Sequence, residues 1–147
     1  MGFTQAIKSF YNRYFDFSTR SSPSEYWWFF LFQMIVFIVF GVLVGILGAV
    51  TGAFDSGEPP TWFYILFVPI GIFVLANIIP GLALVVRRFH DRNMSGWWYL
   101  LFIVLSIIPL IGLLASIALI VMMILPGYPQ PNKWGPNPLG HIDETFS

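Results

Sequence analysis

RRFHDRNMSGWW, residues 87–98, sets three arginines, a histidine and an aspartate between two long stretches that carry no charge at all. Upstream lies run 62–86; downstream lies run 97–125. An arginine at the centre of a lipid bilayer costs roughly 2.5–3.5 kcal/mol. Arg87, Arg88 and Arg92 together therefore mark a place where the chain turns at a membrane surface, and the flanking runs read as transmembrane helices.

Composition agrees with that reading. The chain has 147 residues, of which 57% are hydrophobic and 10% charged. A soluble domain carries about 25% charged residues, and a chain this short has too little interior to hide so much apolar surface. Seven basic residues balance seven acidic ones, so the net charge of zero gives no electrostatic reason to expect nucleic acid as a partner. With no cysteine, disulfides and thiolate chemistry are excluded. The first 25 residues mix Lys8, Arg13, Asp16 and Arg20 with aromatics, unlike a cleavable signal peptide, so the first span is expected to direct insertion itself.

Three apolar runs are long enough to cross. Run 27–50 has 24 residues interrupted only by Gln33, about 36 Å as a helix against a hydrocarbon core of about 30 Å. Run 62–86 contains Pro69, Gly71, Asn77, Pro80 and Gly81, which predicts a bent span. Run 97–125 has 29 residues and predicts one tilted span, broken in a minority alternative near Pro109 and Gly112 into a re-entrant hairpin. Trp27, Trp28, Trp62, Trp97 and Trp98 stand at run starts, where indole rings favour the headgroup level.

The connectors have their own signals. Residues 3–14 place Phe3, Ile7, Phe10, Tyr11 and Tyr14 at helical spacing, as in a short amphipathic helix lying on the membrane. Ser22, Pro23 and Glu25 fit N-cap, N1 and N3 of the first span, with capping-box spacing. The tail, 126–147, is rich in Pro, Gly and Asn and reads as a turn cluster with a loose end. The expected fold is an all-α integral membrane protein, one membrane domain over 1–147: an interfacial segment 1–25, spans at 27–50, 62–86 and 97–125, and the tail.

Orientation follows from charge. The N-terminal segment holds Lys8, Arg13 and Arg20, the 87–96 link holds three arginines, the first loop holds none and the tail holds Lys133. The positive-inside rule puts the N-terminus and the 87–96 link in the cytoplasm. Three spans then leave the C-terminus periplasmic, while a hairpin in the third run would return it to the cytoplasmic side.

Three motifs carry a family resemblance. TRSSPSEYWWF, 19–29, resembles a G-R-x-x-R-x-E-Y-W pattern through Arg20, Glu25, Tyr26 and Trp27, with Thr19 and Pro23 departing from it. RRFHDRNMSGWW resembles R-R-L-H-D-x-x-x-S-G-W-W, and PNKWGPNP, 131–138, resembles a G-x-N-x-Y-G-x-x-P ending. The chain so resembles the YhaH-like family of small bacterial inner-membrane proteins, domain of unknown function 805, from about Phe15 to Pro138. The resemblance implies a bacterial inner-membrane location and no assigned activity.

Arg20, Glu25, Arg87, Arg88, His90, Asp91 and Arg92 are expected on one cytoplasmic face. They form either ion pairs tying helix ends together, with Asp91 four residues from Arg87, or a site for anionic lipid headgroups. His90 beside Asp91 has the residue types for proton transfer. A metal site has only His90 and His141 to draw on, expected on opposite sides, and no metal or other cofactor is expected. Gly41, Gly45, Gly48, Ala49 and Gly52 give small-residue spacings that let helices approach closely, and Gln33, Asn77, Ser106 and Ser116 are the polar candidates for interhelical bonds. The functional expectation is a non-enzymatic membrane protein that works by helix–helix association, as an accessory or assembly subunit or by self-association, with membrane lipids as its surroundings. The alternatives are a transport component acting as an oligomer and a lipid-processing enzyme using His90 and Asp91.

Overall fold

A computed structural model of the chain describes residues 1–55 and 57–140; His141 lies outside them. The elements are α1 (Phe3–Asn12), α2 (Pro23–Val50), α3 (Thr61–Ile65), α4 (Val68–Asp91), α5 (Trp97–Ser106) and α6 (Ile111–Ile124). Among the described residues there is no strand, only an isolated bridge between Asn132 and Gly135. Two stretches are long and apolar enough to cross a membrane: Pro23–Val50, and Thr61–Asp91, which holds α3 and α4. The most apolar part of the first is 0% buried and that of the second 11%, so neither is the core helix of a water-soluble fold.

The chain forms two compact units, Phe30–Ile78 and the pair Met1–Phe29 with Ile79–Ser147. In the first, aromatic rings meet edge to face: Phe32 and Phe37 on Phe73, Phe40 on Phe67, and Phe54 on Phe63. α2 stops in a Schellman turn, with Ala53 N–H bonded to the Gly48 carbonyl and Gly52 N–H to the Ala49 carbonyl. Gly52 takes φ +66° there, a conformation glycine adopts at little cost. Gly48 has a local reason as well, because a Cβ would stand 2.1 Å from the Phe54 ring. Gly48 and Gly52 thus serve this turn rather than an interhelical seam, which corrects the expectation for those two. Gly41 and Gly45 have nothing within 4 Å of where a Cβ would stand, and Ala49 is exposed.

In the second unit, α1 lays Ala6 and Phe10 inward, with Phe10 stacked on Phe29 at 3.4 Å, while Phe3 and Tyr11 stay partly exposed. The Trp28 indole donates to the Met1 carbonyl and the Trp27 indole to that of Met123. α4 continues past the last apolar residue to Asp91, so Arg87–Asp91 is helix and only 92–96 is loop, a correction to the expected 87–96 connector. The end of α4 is another Schellman turn: Met94 N–H bonds the Phe89 carbonyl, Asn93 N–H bonds that of His90, and Asn93 sits at φ 59°.

Run 97–125 is not a single helix. α5 and α6 pack against each other, joined by a turn in which Leu110 has φ 65° and the Ile111 N–H bonds the Pro109 carbonyl. The expectation of one tilted span is corrected: the run breaks near Pro109, as in the minority alternative, into helices of 10 and 14 residues. They measure about 15 and 21 Å, each short of a bilayer core. Chain direction reverses in the hairpin, so the tail comes back beside the end of α4, where Tyr128 N–H bonds the Asp91 carbonyl at 2.6 Å. The expectation that the C-terminal segment lies at the opposite end is corrected by that contact. Ser106 and Ser116 donate to the carbonyls of Ile103 and Gly112 in their own helices, and Asn77 Nδ2 donates to that of Phe73.

Candidate functional site

The interior of the unit around α4 is polar, although the chain as a whole is not. Arg87 and Arg88 are 0% exposed, Glu25 and Asp91 1%, Arg20 4% and His90 6%. Buried charges persist only when partners meet them, and here two carboxylates organise the partners.

Glu25 is the first centre. Ser22 Oγ accepts the Glu25 N–H at 3.3 Å, as an N-cap should. The Glu25 carboxylate, at N3 of α2, is favoured there by the helix dipole. It accepts Ser9 Oγ at 2.8 Å and Arg13 Nη1 at 3.4 Å, and Arg87 Nη2 lies 3.5 Å away. Capping-box geometry is thus half used, the carboxylate being turned to cations. Arg87 spends its other donors on Ser21 Oγ at 2.7 Å and on the carbonyls of Arg13 and Asp16. Asp16 closes the adjoining turn by accepting the Ser18 and Thr19 N–H groups and pairing with Arg13 at 3.0 Å. Partial burial pushes its carboxyl pKa up, but the bonds from Thr19, Ser18 and Arg13 outweigh this and hold it well below the usual carboxylate range.

Asp91 is the second centre. Its Oδ1 accepts Arg20 Nε at 3.0 Å and Nη2 at 2.9 Å, and its Oδ2 accepts Arg88 Nη1 at 2.6 Å. The expected Arg87–Asp91 pair is corrected: in α4 Asp91 meets Arg88, three residues back, while Arg87 turns to Glu25. At 100° per residue the two adjacent arginines leave the helix in different directions. Gly127 passes so close to Asp91 that a Cβ would stand 2.2 Å from the carboxylate.

Both arginines of this centre also hold the chain's return. Arg88 Nη2 donates to the carbonyls of Met122, Met123 and Leu125, and Nη1 to that of Ser21. The first three belong to the end of α6, where carbonyls have no partner within the helix and a cation also meets the negative end of the dipole. Arg20 reaches the carbonyls of Tyr128, Gln130 and Gly135 in the tail. Arg92 stands at the rim and donates to the Pro126 carbonyl.

His90 belongs to a separate contact. Its Nδ1 lies 3.1 Å from the Thr19 carbonyl, and its ring stacks on Trp134 at 4.3 Å, with Lys133 over the other ring system. Asn132 Nδ2 donates to the His90 carbonyl. The side chains of His90 and Asp91 therefore face different partners and do not form an acid–base pair.

Six of the seven residues expected on one face are brought into this interior, and the seventh, Arg92, edges it. Their donors are directed inward, which fits the ion-pair reading and leaves Arg20, Arg87 and Arg88 no surface for a lipid headgroup. Sequence reasoning missed Ser9, Ser21, Arg13 and Asp16, whose residue types are ordinary in a connector. It also missed Asn132 and Trp134, although the motif that contains them had been singled out.

Among the described residues the protein is all-helical, the long helices expose apolar residues, and charged side chains are buried within the unit Met1–Phe29 with Ile79–Ser147. The chain belongs to the family described as protein of unknown function, DUF805, whose model matches residues 14–136. No curated protein and no solved structure matches it.

Proposed function

We propose that this is a non-enzymatic protein of the bacterial inner membrane that works by helix–helix association, as an accessory or assembly subunit or by self-association. One observation carries the reading. The interior is charged and the exterior of the long helices is apolar, the inverse of a protein that meets water. Both buried carboxylates are met by arginines, which favours a structural role over a reactive one. Gly41 and Gly45, open on the exposed face of α2, are suited to close approach by another helix.

The chain crosses the membrane twice, through α2 and α3–α4, and α5–α6 dips in and returns. The tail then shares a side with the N-terminus, so all seven Lys and Arg residues stand on one side and the 51–60 loop, with Asp55 and Glu58, on the other. This distribution supports a cytoplasmic N-terminus and tail more strongly than three spans would. Anionic lipids meet Lys8 and Lys133 rather than the buried arginines.

The cysteine-free chain makes the test direct. Lys133→Cys should react with a membrane-impermeant thiol reagent only in inverted vesicles, and Glu58→Cys only in right-side-out ones. Gly45→Cys should form a disulfide-linked dimer, or a crosslink to a partner, in native membranes. Labelling of residue 133 from outside overturns the topology. A Gly45→Cys protein that stays monomeric under oxidation and uncaptured by crosslinking overturns association along α2.

A further inference from the structure

Beside the charged interior lies an open cavity of about 560 Å³, within the roughly 300–1,000 Å³ range of small-molecule sites. Its walls are Leu82 and Val86 of α4, Trp97, Leu100 and Ile103 of α5, and Phe17 from the connector before α2. Its polar lining includes His90, Ser95 and Tyr99, and no Lys, Arg, Asp or Glu borders it among the described residues.

His90 and Ser95 have defined capacities. A carbonyl only accepts, so the bond to Thr19 requires the hydrogen on His90 Nδ1. In the neutral ring Nε2 then keeps a lone pair, and nothing among the described residues donates to it. His90 is 94% buried by its 6% exposure, and its ring plane is fixed by Trp134, so this acceptor is held in place. Ser95 Oγ accepts the Trp97 N–H at 3.4 Å, which leaves its hydroxyl hydrogen free to donate. His90 thus offers an acceptor and Ser95 a donor, both uncharged, in a mainly apolar trough.

We propose that this cavity binds a single-chain acylglycerol, with the alkyl chain along Leu82, Val86, Leu100 and Ile103 and a glycerol hydroxyl donating to His90 Nε2. Ser95 donates to a second glycerol oxygen. A phosphate or carboxylate headgroup finds no cation in the lining and would face the His90 lone pair, and an ammonium headgroup finds no carboxylate. The volume suits one chain more readily than two. This site does not depend on the association proposed above.

The purified full-length protein in phosphatidylcholine nanodiscs is exposed to monoacylglycerol bearing a diazirine on its chain, and adducts are mapped by mass spectrometry. Adducts are expected within 82–103, competed by unlabelled monoacylglycerol and not by phosphatidylglycerol. Leu100→Trp, which fills the trough, should abolish them. Ser95→Ala should weaken binding about two- to tenfold, the size of one net hydrogen bond. The proposal is overturned if adducts spread equally over the exposed face of α2, if phosphatidylglycerol competes as well as monoacylglycerol, or if folded Leu100→Trp protein labels like the parent.

Discussion

Asp91→Asn is expected to lower folding stability by about 3–5 kcal/mol, the range for removing one member of a buried ion pair. The carboxylate is 1% exposed and holds two guanidinium groups, Arg20 at 2.9 Å and Arg88 at 2.6 Å. An amide has nearly the same shape, so packing changes little. It carries no charge, however, and one of its two ends is an N–H₂ group that must face an arginine donor. Two cations would then share an interior without their anion. Reversible unfolding in mixed micelles, titrated with dodecyl sulfate and followed by tryptophan fluorescence, measures the change. Asp55→Asn, on an exposed turn, is the control and should stay within about 0.5 kcal/mol. A loss below about 1 kcal/mol for Asp91→Asn would show that the pair does not hold this end together.

Buried ion pairs elsewhere are often replaced by apolar residues at no cost. Here that route is closed by the backbone. Arg88 donates to four carbonyls besides Asp91, and Arg20 to three in the tail. Removing the charges together would leave those acceptors unbonded, and each buried orphan costs about 1–3 kcal/mol. The arginines are therefore structural donors first and counter-ions second. This explains why charge is placed beside a membrane: a helix that ends within reach of lipid must satisfy its last carbonyls from the protein.

The sequence made the apolar stretches, the Ser22 cap and the grouping of six polar residues readable, because spacing and charge are local properties. It misled about residues 87–91. Charge beside a greasy run reads as a surface loop, whereas these side chains enter a protein interior assembled from α1, the 13–22 connector and the tail. The return of the tail was only half legible. Pro109 marked a break, but length alone favours one tilted helix over two short ones. What fixes the hairpin is Arg88 reaching carbonyls 34 to 37 residues later, and no local pattern announces a bond to backbone. The roles of Gly48 and Gly52 were lost for a related reason: a four-residue spacing of glycines looks alike whether it faces a helix, a Phe ring or a turn.

The hairpin itself supplies the second large effect. A Cβ on Gly112 would stand 2.4 Å from the Ser106 carbonyl oxygen and 2.9 Å from its carbon. Those are backbone atoms at the end of α5, so no side chain can swing aside. Gly112 N–H is also bonded to the Ile108 carbonyl at 2.6 Å, which pins the turn from the other side. Gly112→Ala must part the two helix ends, and a cost of about 1–3 kcal/mol is expected, the range for overpacking a closed contact. Gly112→Val should exceed it, since its second branch meets the same wall and stiffens χ1. Gly71→Ala gives the opposite sign: it lies within α4 with nothing within 4 Å, and replacing a helical glycine by alanine gains roughly 0.5–1 kcal/mol. Because the end of α6 is gripped by Arg88, opening the turn should also loosen the tail, read as faster proteolysis after Lys133 in inverted vesicles. A Gly112→Ala protein as stable as Gly71→Ala, with its tail equally protected, would mean that α5 and α6 are not closed by this turn.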